Sequence, residues 1–311
     1  MVRAFARGRK VADGKARGMN RLYVVEPNAT GTGSNADHRL RLKASQVGVF
    51  AAALARQLGL DVAGAPTELP EKAQAWLTPL AADMTRAGAA GVVLAGDQQP
   101  AWVHAAAHAI NAKLGSLGEV AIVTEPIVEA GDQAADLKAL VAEMAAGEVE
   151  TLIVAGVNPV YSAPSDVQFA DAMEKVGLRV HLALTDDETG QLCHWQLPLS
   201  FYLEAWGDIR AWNGAVTIQQ PLIDPLYPSR SELEMVALLA GDERTGYEIV
   251  RETWAERWGL QGEAFEKAWR KVLHDGFVAD TAAEAKAVPV ADDWASKLPR
   301  PESKTGLELA I

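Results

Sequence analysis

The chain has 311 residues, 49% of them hydrophobic, and a formal net charge of −12. That is enough apolar material for the cores of two α/β domains, and the acidic balance excludes a broad nucleic-acid surface, which needs clustered Lys and Arg. The lone cysteine, Cys193, excludes an intrachain disulfide and any all-cysteine iron–sulfur cluster.

No apolar run reaches the roughly 20 residues that span a bilayer. Arg3, Arg7, Arg9 and Lys10 lie near the start, but no apolar stretch of signal-peptide type follows them. In chain order, short β-branched runs alternate with alanine-rich helical periods. Residues 23–25 read as a short strand. Residues 44–58 are apolar at helical spacing through Val47, Phe50, Leu54 and Leu58, with Ser45 as the expected cap. A second helix is predicted over 71–86, and Glu71 suits its first turn. Residues 91–95 (GVVLA) read as a buried strand, 102–114 as a helix stopped by Gly115, and 120–123 as another strand. A helix over 134–146, a buried strand over 151–155, a helix over 166–176 and a strand over 179–184 follow. This alternation predicts an α/β protein built on parallel sheets covered on both faces. Beyond residue 241, helices at about 247–258 and 263–274 carry Trp254, Trp258 and Trp269. The expected division is a first α/β unit over 1–128, a second over 129–241, and a helical extension with a polar tail over 242–311.

Residues 193–241 hold three of the nine tryptophans, Trp195, Trp206 and Trp212, in a Gly- and Pro-punctuated segment. Indoles at this density anchor packed surfaces or partner interfaces. Together with Glu204, Asp208 and Arg210 they are the expected docking surface.

One internal echo stands out. Residues 32–42 read TGSNADHRLRL and residues 189–199 read TGQLCHWQLPL. Both open on Thr-Gly and close on Leu-x-Leu, and each follows a predicted strand, where α/β sheets gather ligands. The longer segments VVEPNATGTGSNADHRLRL and LALTDDETGQLCHWQLPL, with the turn Gly156-Val157-Asn158-Pro159, resemble the molybdopterin oxidoreductases. In that superfamily two related α/β domains each bind half of a bis-pterin guanine dinucleotide. Each uses a strand ending in Asp-Pro, a T-x-T-A-x-x-A-D loop and a further strand. The resemblance implies two three-layer α/β/α, Rossmann-like units followed by the helical segment. It maps the dinucleotide site onto Glu26, Thr30, Thr32, Asp37, Asn158 and Thr189.

The departures narrow the resemblance. The second copy has Ala183-Leu184 in place of Asp-Pro and Cys193-His194 in place of Ala-Asp, followed by Trp195. These bulky rings are expected to fill the phosphate loop. The C-x-x-C-x-x-x-C cluster motif does not precede the first unit. In these respects, and along most of its length, the chain resembles the molybdopterin-oxidoreductase-like half of the large iron–sulfur subunit of bacterial alternative complex III. That complex is a respiratory quinol oxidoreductase. The resemblance implies no molybdenum cofactor in this chain, with iron–sulfur clusters and haem only in its partners. Those partners would be the iron–sulfur half, the quinol-oxidising membrane subunits and the cytochrome c subunits. The implied location is the periplasmic face of the inner membrane, as an internal fragment or split gene product without turnover of its own. The alternative is a fragment of a genuine molybdopterin oxidoreductase, with its cofactor retained.

Other candidate chemistry reads as structural. Cys193 and His194 are adjacent, and neighbours on a strand point to opposite faces. His104 and His108 share a helix face, but the residue between them in the H-E-x-x-H position is Ala105. Asp186-Asp187-Glu188 is expected at a solvated loop or a helix N-terminus.

Overall fold

The computed structural model describes residues 2–10, 19–62, 68–128, 131–291, 293–296 and 306–308. It is mixed α/β with small parallel sheets. The chain divides into two compact units, Met1–Val123 with Ala285–Ile311, and Thr124–Glu284.

The first unit begins with helix α1 (Val2–Arg7), strand β1 (Tyr23–Glu26), the single turn α2 (Gly31–Ser34) and strand β2 (His38–Arg41). β1 and β2 pair in parallel, with Tyr23 opposite His38 and Glu26 opposite Arg41. Helices α3 (Ala44–Gln57), α4 (Glu71–Ala87) and α5 (Ala101–Leu114) follow. Val49, Phe50 and Leu54 of α3 and Leu80 and Ala81 of α4 pack with Leu40, Leu42 and Ile110 in one core. Each buried Leu, Ile or Phe contributes about 1.5–3 kcal/mol relative to an exposed position. Gly48 permits a close approach of α3 and α5: a Cβ there would collide with the Trp102 indole of α5. Ser45 is not a helix cap as expected. The Glu308 carboxylate accepts from its backbone N–H at 2.9 Å and from its hydroxyl, so a distant carboxylate serves the α3 N-terminus.

Two predicted strands of this unit do not form. At 91–95 the Asn111 side chain takes both backbone groups of Val93, donating to its carbonyl and accepting from its N–H, each at 2.8 Å. The Ser116 hydroxyl donates to the Gly91 carbonyl. A side-chain amide thus stands where a neighbouring strand would pair, and Val92 and Leu94 are exposed. Residues 120–123 are irregular, apart from one bridge between Leu117 and Ala121.

The second unit runs through α6 (Gln133–Ala146), β3 (Thr151–Ala155), α7 (Pro159–Ser162), α8 (Phe169–Met173), β4 (Leu178–Ala183), α9 (Glu188–Gln191) and β5 (Trp195–Pro198). β3, β4 and β5 form a parallel sheet in that order. The helix expected over 166–176 is broken at Gln168, whose φ of 54° is left-handed, leaving a 3-10 turn before it and α8 after it. Leu152 and Val154 of β3 pack with Met144 of α6 and with Phe169 and Met173 of α8. The opposite face of β3 is not covered as predicted, because its burial alternates residue by residue. The chain continues into β6 (Gly207–Arg210) and β7 (Val216–Gln219), an antiparallel hairpin whose loop carries Asn213-Gly214 with Gly214 at φ 83°. After α10 (Glu232–Leu239), helices α11 (Gly246–Trp258) and α12 (Gly262–Asp275) pack Val250, Trp254, Phe265 and Trp269 against Val216 and Ile218 of β7. They therefore belong to the second unit's own core.

Asn111→Ala leaves the Val93 N–H and carbonyl without their partner in a half-buried setting. Urea unfolding is expected to show a loss of about 1–3 kcal/mol; an unchanged midpoint would mean that water replaces the amide at no cost.

Candidate functional site

The two echoed loops are the same element built twice. Adding 157 to each residue number carries β1–α2–β2 onto β4–α9–β5 without a gap: Tyr23 opposite His38 becomes Val180 opposite Trp195. The one-turn helices correspond, Gly31–Ser34 with Glu188–Gln191. Their caps correspond as well. Thr30 Oγ1 accepts from Gly33 N at 3.0 Å, and Asp187 Oδ1 accepts from Gly190 N at 2.9 Å. At the exit, Leu42 N donates to the Glu26 carbonyl and Leu199 N to the Ala183 carbonyl.

The match extends to the side chain that opens the second strand. Asp37 Oδ2 accepts from Leu22 N at 2.8 Å, while Asp37 N donates to the Leu22 carbonyl at 3.0 Å. In the second copy His194 Nδ1 accepts from Arg179 N at 3.0 Å, and His194 N donates to the Arg179 carbonyl at 2.9 Å. The imidazole thus takes over the acceptor role of the carboxylate. It does not fill a phosphate loop, and the Trp195 ring does not either, since it is 64% exposed.

What does fill the loops comes from the strands. Glu26 is buried, accepts from Thr30 N at 3.3 Å and Thr30 Oγ1 at 2.7 Å, and pairs with Arg39. Its carboxylate occupies the space beside Gly33, where a Cβ would collide with it. In the second copy Ala183 replaces Glu26, and Gln196, the counterpart of Arg39, fills the space beside Gly190. Burial pushes the Glu26 carboxyl up, but the bonds from Arg39 and Thr30 outweigh it and leave the group below its ordinary value. Asp37 is also lowered, chiefly by the Arg9 guanidinium and then by the Leu22 N–H.

The second copy adds a polar network at the strand ends. Thr189, fully buried, donates from Oγ1 to Asn158 Oδ1 at 2.7 Å and accepts from Val160 N at 3.1 Å. Asn158 caps α7 and donates to Glu188 at 2.7 Å. That bond holds the Glu188 carboxyl below its ordinary value. His181, also fully buried, contacts the Val157 carbonyl at 3.0 Å and lies 3.4 Å from Asp187. Of the six cofactor-binding candidates, Glu26 and Thr30 are thus joined in one unit and Asn158 and Thr189 in the other. Asp37 braces the opposite end of its strand pair, and Thr32 is exposed. Sequence reasoning missed Arg39 and Gln196, whereas Asp187, expected at a solvated loop or a helix N-terminus, is the N-cap of α9. Asp187 stands three residues before a glycine, in the position that Thr30 holds before Gly33.

A pterin dinucleotide would present phosphates to these turns. The N–H groups of Gly33 and Gly190 are already capped by side chains; at the first turn Glu26 is neutralised by Arg39, and at the second Asp187 and Glu188 repel a phosphate. The side chains present do not fit that group. Among the described residues no cluster of three His, Cys, Asp or Glu has the arrangement of a metal site.

The six docking candidates separate. Trp212, in the hairpin loop, is 89% exposed. Trp206 instead stacks obliquely on Tyr247 at 4.7 Å and lies 6.2 Å from Trp269, against the α11–α12 core. Asp208 accepts from Trp254 Nε1 at 2.8 Å. Glu204 accepts from Phe201 N at 2.8 Å and Leu226 N at 2.9 Å, which ties two loops and lowers its carboxyl. Trp206 therefore packs on the core of its own unit, Asp208 bonds that core's Trp254 from an exposed position, Glu204 fastens two loops, and Arg210 is exposed on β6. No protein-family model matches the chain, and no curated protein matches it.

Trp206→Ala is expected to cost about 2–4 kcal/mol, whereas Trp212→Ala stays within about 0.5 kcal/mol. Equal effects in thermal unfolding would contradict this division. A second expectation concerns pH. Because the folded Glu26 value is depressed, its contribution is complete above the unfolded value and is lost as pH falls through the folded one. Glu26→Gln should be less stable than the native chain at neutral pH, with the gap closing below about pH 4. A gap that stays constant down to acid pH would rule out an ionised Glu26 in the folded state.

Proposed function

We propose that this chain is the cofactor-free, molybdopterin-oxidoreductase-like portion of the large iron–sulfur subunit of a bacterial alternative complex III. Its role is architectural. It holds the iron–sulfur half near the quinol-oxidising membrane subunits and the cytochrome c subunits, at the periplasmic face of the inner membrane. Electrons pass through the clusters and haems of those partners, and this chain alone turns over no substrate.

The observation that carries the reading is the repeated strand–turn–strand element with its glycine N–H groups capped by its own side chains. The repeat supports descent from a two-domain dinucleotide binder. The capping by Thr30 and Asp187, and the filling by Glu26 and Gln196, support loss of the ligand. Among the described residues no helix is long and apolar enough to cross a membrane, in keeping with attachment through partners.

The test has two arms. Purified chain, expressed in a host that makes molybdenum cofactor, should hold no stoichiometric molybdenum, tungsten or iron by elemental analysis. Co-expressed with the iron–sulfur half of an alternative complex III, it should co-purify as a stable pair. About one molybdenum per chain would favour the genuine oxidoreductase, and failure to pair with the iron–sulfur half would remove the respiratory reading.

A further inference from the structure

The 157-residue repeat shows where the second unit leaves apolar sheet residues exposed that the first unit packs under helices. In the first unit, Tyr23, Val25, His38 and Leu40 lie on one face of β1–β2, and that face is covered by α3 and α4. Tyr23 and His38 stack at 4.6 Å, and Trp76 of α4 closes over both edge-on, at 6.0 and 6.2 Å. The Tyr23 hydroxyl also donates to Asp83 of α4 at 2.6 Å. The equivalent positions in the second unit are Val180, Leu182, Trp195 and Leu197. Strand pairing adds Ile153 and Leu178 to the same face.

That face is covered only in part: Leu182 is fully buried, and Val180 and Leu197 are half-buried. α6 and α8 pack on the other side, through Leu152 and Val154. Ile153 is 38% exposed, Leu178 40% and Trp195 64%. The reason lies in the chain path. After β2 the first unit turns straight into α3. After β5 the second unit runs into an irregular segment and the β6–β7 hairpin, and the next helix, α10, meets the sheet at its strand ends, where a Cβ at Gly156 would collide with Glu232. The open part of the face is free of charge, and its ends are mainly acidic: exposed Glu148 and Glu150 before β3 and Asp186 and Glu188 beyond β4, against exposed Lys175 before β4 and Arg230 beside the end of β5. The second unit as a whole contains 28 of the chain's 41 acidic residues and only 11 of its 29 Lys and Arg.

We propose that the open face of β3–β4–β5 is a docking site for an amphipathic helix of another protein, apolar toward the sheet and basic along its rim. The repeat identifies the missing element as a helix, because a helix layer covers the same face in the first copy. The acid at both strand ends selects the sign of its rim. Trp195 is the anchor, in the position that His38 holds beneath Trp76. This stands on the sheet geometry and does not depend on the respiratory reading.

The test uses the full chain and a labelled, stapled 17-residue helix. The helix carries Trp and Leu in the spacing of Trp76, Leu77 and Leu80 on one face and lysines on the other; a twin has glutamates for the lysines. Fluorescence anisotropy should show saturable binding of the lysine helix, about tenfold or more tighter than that of its twin. Ile153→Asp and Trp195→Asp should each weaken binding about tenfold or more. Because these substitutions add negative charge, general attraction of a basic peptide to an acidic protein would move the other way. Trp212→Ala, off the face, should change nothing, and circular dichroism checks that each variant is folded. Absence of saturable binding overturns the proposal, as does equal binding by the folded face variants. Sedimentation that shows a dimer of the chain dissociated by Ile153→Asp would also overturn it, since the occupant would then be a second copy.

Discussion

The structure depends on a tight parallel connection. β1 and β2 are neighbours running the same way, yet only eleven residues, 27–37, join them, and residues 184–194 join β4 to β5 in the same manner. Parallel neighbours normally need a crossover of a dozen residues or more. Eleven residues leave room for one helical turn, so every backbone group at the bend must be satisfied within a few ångströms. A side-chain oxygen caps the turn, a buried glycine admits a strand side chain against it, and an acceptor at position 37 or 194 holds the N–H that opens the first strand.

These requirements explain what varies between the copies and what does not. The geometry asks for an acceptor at 37 and 194, and both a carboxylate and an imidazole nitrogen can accept an N–H. It asks for a cap at 30 and 187, which Thr and Asp both provide. It asks for a polar group beside the glycine. Glu26 reaches that space from the first strand of its pair, and Gln196 reaches it from the second strand of the other pair. The buried Glu26 is tolerated because Arg39 and Thr30 both bond it. The same side chains that complete the bend occupy the N–H groups on which a phosphate would rest, so structural satisfaction and ligand binding compete for one set of donors.

Beyond the repeat the units diverge, and the divergence sets their surfaces. The first continues into α3 and α4, which close one sheet face with Trp76. The second spends the equivalent stretch on loops that Glu204 fastens and on a hairpin that α11 and α12 cover. Its tryptophans consequently face two ways: Trp206, Trp254 and Trp269 build an interior, whereas Trp195 and Trp212 face solvent.

Local pattern determined much of this. The long amphipathic helices, the strand at 151–155 and the glycine stop at 115 were legible because periodicity and left-handed termini are properties of neighbouring residues. So was the echo at 32–42 and 189–199, because the bend constrains residue type at fixed spacing. Tertiary structure decided the rest. Residues 91–95 carry a strand's apolar pattern, but Asn111, eighteen residues after Val93, holds the backbone that a neighbouring strand would pair. Ser45 has the chemistry of a cap, yet Glu308 serves that helix end. Whether a tryptophan in 193–212 faces core or solvent depends on where α11 and α12 pack, and a sheet face is buried only if some later segment returns to cover it. Such choices depend on contacts between residues far apart in sequence, which local pattern does not encode.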